Sequence, residues 1–160
     1  MEKWDLYTKY REKTEKTMTR GDVIPDEYYH LVVSVWIKNS KDEYLLSQRH
    51  PDKLFPLKWE CTGGSVTSGE TSLQGAVREV QEELGIKLSP NDGKLIQRMR
   101  RDAYNDFYDV WLFYSDISID QLKLQTTEVV AAQWMKKEDI FHLYETQQLH
   151  PLLNNLEAVL

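Results

Sequence analysis

The residues best suited to chemistry lie between positions 63 and 86, in the stretch GGSVTSGETSLQGAVREVQEELGI. A glycine pair and a turn lead into a run that contains Glu79, Glu82 and Glu83, and Glu70 precedes that run. Three neighbouring carboxylates repel one another, and where water is excluded they would take up protons. A divalent cation removes this conflict, and Mg²⁺ and Mn²⁺ prefer hard oxygen ligands. The stretch therefore predicts a site for Mg²⁺ or Mn²⁺.

A helix is needed to bring these carboxylates together. Thr71 followed by Gln74 fits a capping box, and Gly85 fits the residue just beyond a helix end. The signals predict a helix from about residue 72 to 84. At ~100° per residue, the three glutamates of the run share an arc of roughly 100° opposite the apolar face. The predicted helix thus has one face for the core and one for cations.

Other residues of the stretch could support the cation site. Arg78 borders the acidic arc and precedes Glu82 by four residues, so the two can pair. The arginine could thereby hold a carboxylate in place. Gly63 and Gly64 lack side chains, which lets a backbone carbonyl or amide approach the same ions.

The joint pattern resembles a known motif. The spacing G-x5-E-x7-R-E-U-x-E-E-x-G-U, with U aliphatic, runs from Gly64 to Ile86 without a departure and resembles the Nudix box. The strands expected on either side also fit the family, so the resemblance covers about residues 30–145. It implies an α/β/α sandwich with a mixed central sheet flanked by helices. It also implies Mg²⁺- or Mn²⁺-dependent hydrolysis of a nucleoside diphosphate linked to another moiety.

The resemblance further implies roles for single residues. The metal ligands would be the carbonyl of Gly63 and the carboxylates of Glu79, Glu82 and Glu83, with one of these carboxylates acting as a base instead. The catalytic group would comprise Arg78, Glu79, Glu82 and Glu128. Glu128 begins the strand expected at 128–135, and some family members carry a catalytic or metal-binding glutamate on a loop near this position. Structural roles would fall to Gly64, Glu70 and Gly85.

Four residues outside the box are candidates for substrate binding. Arg49 and Lys58 could bind phosphate, and Trp59 and Tyr108 could stack on a base. Trp59 is the best candidate for a wall of the site, because it lies four residues before the glycine pair. For each of the four, solvation or ordinary packing is the alternative. The substrate class stays open among nucleoside di- or triphosphates, nucleotide sugars, dinucleotides and prenyl-type diphosphates.

The periodicity along the chain predicts a single α+β domain over residues 1–160. We expect an N-terminal strand extension over 1–25, with a strand pair within 3–18, and a core over 30–145. Strands are predicted at 30–39 and 44–49, joined as a hairpin, and at 95–104, 107–116 and 128–135. The segment 136–160 has helical periodicity, so a C-terminal helix is predicted over 146–160.

Composition excludes several classes of protein. The net charge of −6 disfavours a nucleic-acid polymer as partner, whereas a small-molecule diphosphate remains compatible with bound cations. No apolar run approaches the ~20 residues of a membrane span, and the N-terminus lacks a signal peptide. The single cysteine, Cys61, favours a reducing interior, so we expect a cytoplasmic protein. A homodimer, through the N-terminal strands or 95–116, is an open alternative.

Two alternatives compete with hydrolysis. Residues 28–49 and the N-terminal segment resemble isopentenyl diphosphate isomerases and their hydrolase relatives, and His30 matches one metal-binding histidine of those isomerases. However, Gly63 and Ser65 stand where the isomerases have a cysteine and a histidine, and Cys61 is two positions early. The intact box therefore favours a hydrolase of the isomerase-like branch. The second alternative is a Nudix fold that acts as a non-catalytic ligand sensor.

Overall fold

The computed structural model describes residues 1–153 and 156–160. This part of the chain contains nine strands, three helices and three single turns of 3-10 helix. The strands and helices are β1 Lys3–Tyr7, β2 Lys13–Thr19, β3 His30–Lys38, β4 Glu43–Arg49, β5 Trp59–Glu60, β6 Thr62–Ser65, α1 Ser72–Leu84, β7 Lys94–Arg101, β8 Asp106–Tyr114, β9 Val129–Lys136, α2 Lys137–Glu145 and α3 Leu156–Val159. None of these helices combines the length and apolar character that crossing a membrane requires.

Seven strands form one mixed sheet. Its order is β5-β4-β3-β8-β7, with β6 also paired to β3 and β9 to β4. The pair β3–β8 is parallel, with Val32 opposite Tyr108, and the remaining pairs of the sheet are antiparallel. The predicted mixed sheet is confirmed.

Helices cover both faces of this sheet. Because side chains alternate along a strand, Val35 and Ile37 of β3 face α1, whereas Trp36 between them faces the opposite layer. On the first face they meet Val80 and Leu84 of α1, both at most 1% exposed. The second face is covered by α2 and the C-terminal residues. The predicted α/β/α sandwich is therefore confirmed.

β3 and β4 pair over a shorter length than the predicted hairpin requires. The two strands pair in register only at Lys38 and Tyr44. Beyond that point β3 pairs with β6 and β8, while β4 pairs with β9 and β5. The strands separate because each finds longer partners elsewhere in the sheet, and the glycine pair of β6 consequently lies against the middle of β3.

The N-terminal strands form a separate two-stranded sheet, β1–β2, that is fixed to the main body. The buried carboxylate of Asp5 accepts hydrogen bonds from the Ser68 hydroxyl at 2.7 Å and the Gly69 amide at 2.8 Å. In the loop after β1, Arg11 makes a bidentate pair with Asp109, which is 1% exposed. The predicted strand pair is thus present and is anchored beside α1.

The helix predicted over 146–160 is wrong for most of its length. Only Leu156–Val159 is helical, and residues 154 and 155 lie outside the described part. The segment after α2 instead follows β5, because the Trp59 amide donates to the Gln148 carbonyl at 2.9 Å and the His150 amide donates to the Trp59 carbonyl at 2.8 Å. Pro151, which disfavours a continuous helix, follows directly.

Candidate active site

The glycine-rich loop and α1 adopt the local structure that the sequence predicts. The Gln74 amide donates to the Thr71 hydroxyl at 3.2 Å, and the Thr71 amide donates to the Gln74 side chain at 2.8 Å. Gly85 ends the helix in the left-handed region with φ of 71°. The predicted helix, its cap and its end are therefore confirmed, and the acidic face begins where the glycine-rich loop ends.

Arg78 joins this loop to the acidic face. Its guanidinium donates to Glu70 at 2.8 Å, to Glu79 at 3.0 Å, to Glu82 at 3.2 Å and to the carbonyl of Ser65 at 3.0 Å. One side chain thereby holds three carboxylates and a backbone oxygen in a fixed arrangement. Arg78 does not itself line the pocket described below, so its geometry is that of a positioning residue.

Glu70 fixes the turn that precedes the helix. Its carboxylate accepts hydrogen bonds from the amide and the hydroxyl of Thr67, at 2.9 and 2.6 Å. Partial burial opposes ionisation of Glu70, but hydrogen bonds from Arg78 and Thr67 outweigh it and lower the pKa of this carboxyl. The residue is therefore a stable anion that braces the loop.

Glu79 packs against the second glycine of the pair. A β-carbon at Gly64 would come within 2.6 Å of the Glu79 Cδ, so a side chain there would displace this carboxylate from its present position. Burial raises the pKa of Glu79 to about 7, although the Arg78 guanidinium opposes the shift, and the charges of Glu82 and Glu2 reinforce it. Glu79 is thus an acidic group whose anion is disfavoured where it stands.

Glu83 is the most buried of the three glutamates. It is 6% exposed, and its Oε2 atom has no hydrogen-bond partner among the described residues. Burial raises its pKa well above the ordinary value, and the neighbouring charges of Glu79, Glu60 and Glu128 add to the rise. A buried carboxylate oxygen without a partner is costly unless something pairs with it. This carboxyl is therefore either protonated or paired with a positive group.

The three glutamates do not converge on one point as the side chains stand. Among residues 1–153 and 156–160, no three His, Cys, Asp or Glu side chains form a group that could hold a metal ion. Glu79 and Glu82 both turn towards Arg78 instead, which supplies positive charge to them. The structure places the three carboxylates on one face of α1, and their side chains would have to rotate to meet at one point.

A pocket of about 160 Å³ opens beside the glycine pair. Its floor is the face of β3 and β8 away from α1, and the C-terminal segment closes one side. The lining residues are Val32, Val33, Ser34, Arg49, Glu60, Cys61, Gly63, Gly64, Arg101, Tyr108, His150, Leu152 and Leu153. Gly63, whose backbone carbonyl is the predicted metal ligand, is therefore a residue of β6 that lines the pocket.

Two of the four predicted substrate-binding residues line this pocket. Arg49 does so while its Nη1 atom donates to both carboxylate oxygens of Glu60, at 2.8 and 3.1 Å. Tyr108 does so with its hydroxyl bonded to the Ser34 hydroxyl and with the Arg101 guanidinium 4.0 Å from its ring centre. These contacts hold both side chains in place at the pocket wall.

The other two predicted residues lie elsewhere. Trp59 faces a separate cleft with Met135 and His142, because it alternates with Glu60 along β5 and only Glu60 points into the pocket. Lys58 donates its Nζ proton to the Gln147 carbonyl and thereby ties the loop after β4 to the C-terminal segment. Neither residue lines the pocket, and a role in substrate binding stays a prediction for both.

Sequence reasoning missed two charged groups near the acidic face. Glu60 lines the pocket, and burial raises its pKa even though Arg49 opposes the shift. Lys53 pairs with Glu128, and its charge also acts on Glu60 and Glu83. Glu128 therefore lies near the acidic face, as its candidacy required. The alternation of Trp59 and Glu60 was the one available sequence signal for Glu60.

Comparison with known proteins agrees with this geometry. The family model described as the NUDIX domain matches residues 28–156. A Nudix hydrolase of Listeria monocytogenes is 37% identical over 160 residues, covering 98% of this chain and 94% of that protein. The nucleoside triphosphatase NudI of Escherichia coli is 30% identical over 108 residues, covering 62% of this chain and 77% of that protein.

Solved structures share the fold. The crystal structure of DR0079 from Deinococcus radiodurans superposes with a TM-score of 0.78 and 23% identity, covering 98% of each chain. A MutT protein from Methanosarcina mazei superposes with a TM-score of 0.62 and 25% identity, covering 80% of this chain and 89% of that one. With the family model matching most of its length, and with an intact acidic helix beside a pocket, the chain belongs to the Nudix family and is a Nudix hydrolase.

Proposed function

We propose that the acidic face of α1 binds Mg²⁺ or Mn²⁺ and that the protein hydrolyses a diphosphate linkage in a nucleoside diphosphate derivative. The observation that carries the proposal is Glu83, a 6% exposed carboxylate whose Oε2 atom has no partner among the described residues. Burial also raises the pKa of Glu79, the nearby glutamate. Carboxylates in such surroundings are suited to a hard divalent cation, which would pair with their unpartnered oxygens.

The donors would be the carboxylates of Glu79, Glu82 and Glu83 and the carbonyl of Gly63. When bound, the cation would neutralise the phosphate oxygens and make a bound water more acidic. Arg78 would keep its hold on Glu70 and so keep the glycine-rich loop against α1. Since Arg78 contacts carboxylates rather than the pocket, its contribution to catalysis would be positioning.

A proton must leave the attacking water during hydrolysis, and carboxylates near the pocket can accept it. Glu128 is one candidate, because it lies close enough to influence the pKa of both Glu60 and Glu83. One of the three α1 glutamates is the other candidate. Replacing Glu128 by glutamine would separate the two: a large fall in kcat assigns proton transfer to Glu128, and unchanged kcat assigns it to α1.

The nucleoside phosphate class rests on a relative. NudI is a nucleoside triphosphatase and is 30% identical over 108 residues, so nucleoside phosphates are the substrates we propose to test first. Arg49 and Tyr108 line the pocket next to the glycine pair and are the side chains available to contact such a substrate. A small-molecule diphosphate is accordingly the partner that we propose.

The isomerase alternative finds little support at the corresponding residues. Burial raises the pKa of the Cys61 thiol, and this cysteine is 3% exposed, so it is a poor proton donor or acceptor. Ser65 and Gly63 offer neither a thiol nor an imidazole. Isomerisation of isopentenyl diphosphate, like ligand binding without turnover, is kept as an outcome of the test.

The test is a screen of diphosphate compounds with Mg²⁺ or Mn²⁺, read by release of phosphate or nucleoside monophosphate and, for isopentenyl diphosphate, by movement of its double bond. We expect metal-dependent turnover that is lost in Glu83→Gln and Glu82→Gln and retained in Glu145→Gln, which changes an exposed glutamate of α2. Calorimetry with Mn²⁺ is run in parallel. No uptake of either metal, or turnover unaffected by Glu83→Gln, would overturn the proposal.

A further inference from the structure

The N-terminal hairpin brings an aromatic side chain against the sheet. Trp4 of β1 lies on the ring of His30 at the start of β3, with ring centres 4.3 Å apart and planes 11° apart. The strand is held there because the Ser68 amide donates to the Lys3 carbonyl at 2.8 Å and Asp5 binds the same loop. Trp4 is therefore a fixed part of the domain, although its surface is half-exposed.

This stack adjoins the pocket. Side chains at His30, Val32 and Ser34 point to the same face of β3, and the latter two line the pocket. His30 pairs with Asp106 across the parallel strand, and Asp106 makes a bidentate pair at 2.7 Å with the pocket-lining Arg101. The stack is thus about 7 Å along the strand from the pocket floor.

The other side of Trp4 leads to the acidic helix. The indole Nε1 atom donates to Glu2 at 2.7 Å. Glu2 is close enough to Glu79 for its charge to contribute to the raised pKa of that carboxyl. The hairpin therefore lies between the acidic face of α1 and the end of β3 that adjoins the pocket floor.

The chemistry of the Trp4–His30 stack favours an uncharged planar group. Burial lowers the pKa of His30, so the imidazole is neutral, and the Glu2 carboxylate beside the indole is paired with Arg20 at 3.3 Å. The His30 Nδ1 atom is buried without a partner among the described residues, although buried polar atoms are ordinarily hydrogen-bonded. A ring with hydrogen-bonding edges suits such a surface.

We propose that the Trp4–His30 stack is the binding surface for the nucleobase of the substrate, so that the N-terminal hairpin completes the substrate site. The inference rests on the proposed function, which puts the diphosphate at the acidic face of α1. On the same face of β3, His30 is about 7 Å from Val32, which lines the pocket and pairs with Ser65 next to the glycine pair. That separation is within the reach from a nucleobase to the phosphates of a nucleoside diphosphate.

The first test is tryptophan fluorescence, which does not depend on turnover. ADP, CDP, GDP, UDP and inorganic pyrophosphate are titrated into the wild-type protein and into Trp4→Leu in the presence of Ca²⁺. We expect at least one nucleotide to quench the wild-type emission, and we expect that quenching to disappear in Trp4→Leu. Pyrophosphate, which has no base, should leave the emission of Trp4 unchanged. Equal quenching in the two proteins, or none by any nucleotide, would refute the proposal.

The second test is steady-state kinetics on a nucleotide substrate with Mg²⁺. Trp4→Leu should raise KM by about tenfold with kcat within about twofold, while Trp4→Phe, which keeps a ring, should raise KM by less than about threefold. The control is Tyr10→Ala, because Tyr10 is 72% exposed on the same hairpin. A fall in kcat at constant KM would indicate a structural role and overturn the assignment.

The two proposals fail in distinguishable ways. If the wild type binds nucleotides with Trp4-dependent quenching but hydrolyses none of them, the base site stands and hydrolysis of these compounds is excluded. If hydrolysis is metal-dependent but equal in wild type and Trp4→Leu, the base site falls and hydrolysis stands. Should Trp4→Leu fail to fold, Trp4→Phe supplies both comparisons, since phenylalanine lacks the indole emission.

Discussion

The Glu79 carboxylate occupies the space that a side chain at Gly64 would take, with its Cδ atom 2.6 Å from an ideal β-carbon there. A side chain at Gly64 would therefore have to displace an acidic side chain rather than strain its own backbone. At Gly63 the obstacle is different, since a β-carbon there would meet the backbone of β3. The first glycine is fixed by the strand, and the second by the position of the Glu79 carboxylate.

Replacing Gly64 by alanine tests this fit. The added methyl group would displace the Glu79 carboxylate, and a misplacement of about 1 Å in a catalytic site can cost about 100-fold in rate. We expect kcat of Gly64→Ala to fall by about that factor, with a circular-dichroism spectrum like that of the wild type. A variant with wild-type kcat would show that Glu79 adapts without loss.

The raised pKa of Glu79 predicts how stability depends on pH without metal. Between the ordinary value of 4.5 and about 7, the folded protein holds a proton that the unfolded chain has released. Stability therefore falls as pH rises through this window, by about 3 kcal/mol from this residue. Urea unfolding in EDTA from pH 5 to 7.5 measures it. The slope should flatten in Glu79→Gln, and an identical slope in that variant would contradict the assignment.

The buried pair of Arg49 and Glu60 predicts a strong coupling. Both side chains are at most 14% exposed, and the Arg49 Nη1 atom donates to both oxygens of Glu60. Arg49→Met alone leaves a buried carboxylate without its partner, so we expect about 3 kcal/mol of destabilisation. Adding Glu60→Gln removes the charge and should recover most of that loss. A double-mutant cycle by urea unfolding gives the coupling, and additive effects would refute it.

Lys53 predicts an effect on metal affinity. Its ammonium group pairs with Glu128 and lies near Glu60 and Glu83, so it competes with any cation at that end of the site. We expect Lys53→Met to bind Mn²⁺ several-fold more tightly by calorimetry without substrate. Lys58→Met is the matched control, since Lys58 instead binds the Gln147 carbonyl. Equal affinity in all three proteins would count against a role for Lys53.

Features that depend on local sequence were predictable. The bounds of α1 follow from the capping box of Thr71 and Gln74 at its start and from Gly85 at its end, and the structure has both. Five of the seven strands of the sheet follow from alternation and β-branched content and lie within a few residues of the prediction, whereas the short strands β5 and β6 were not predicted. Local patterns therefore locate the acidic face, and they also give the order of the elements.

Features that depend on distant partners were not predictable. His150 lines the pocket because its backbone joins β5, about ninety residues earlier in the chain, and helical periodicity around it gave the opposite expectation. Which of Trp59 and Glu60 lines the pocket depends on the face that β5 turns towards it, and the sequence does not give that face. Likewise, nothing near Asp109 in sequence announces that Arg11 will cover it.

The parallel pairing of β3 with β8 has a consequence for the order in which the molecule forms. Residue 30 pairs with residue 106 and residue 38 with residue 114, so closing this pair requires a long loop that contains α1. During synthesis, the acidic helix leaves the ribosome well before the strand that supplies half of the pocket floor. A nascent chain would therefore contain the three glutamates of α1 for some time before β8 completes the floor of the pocket.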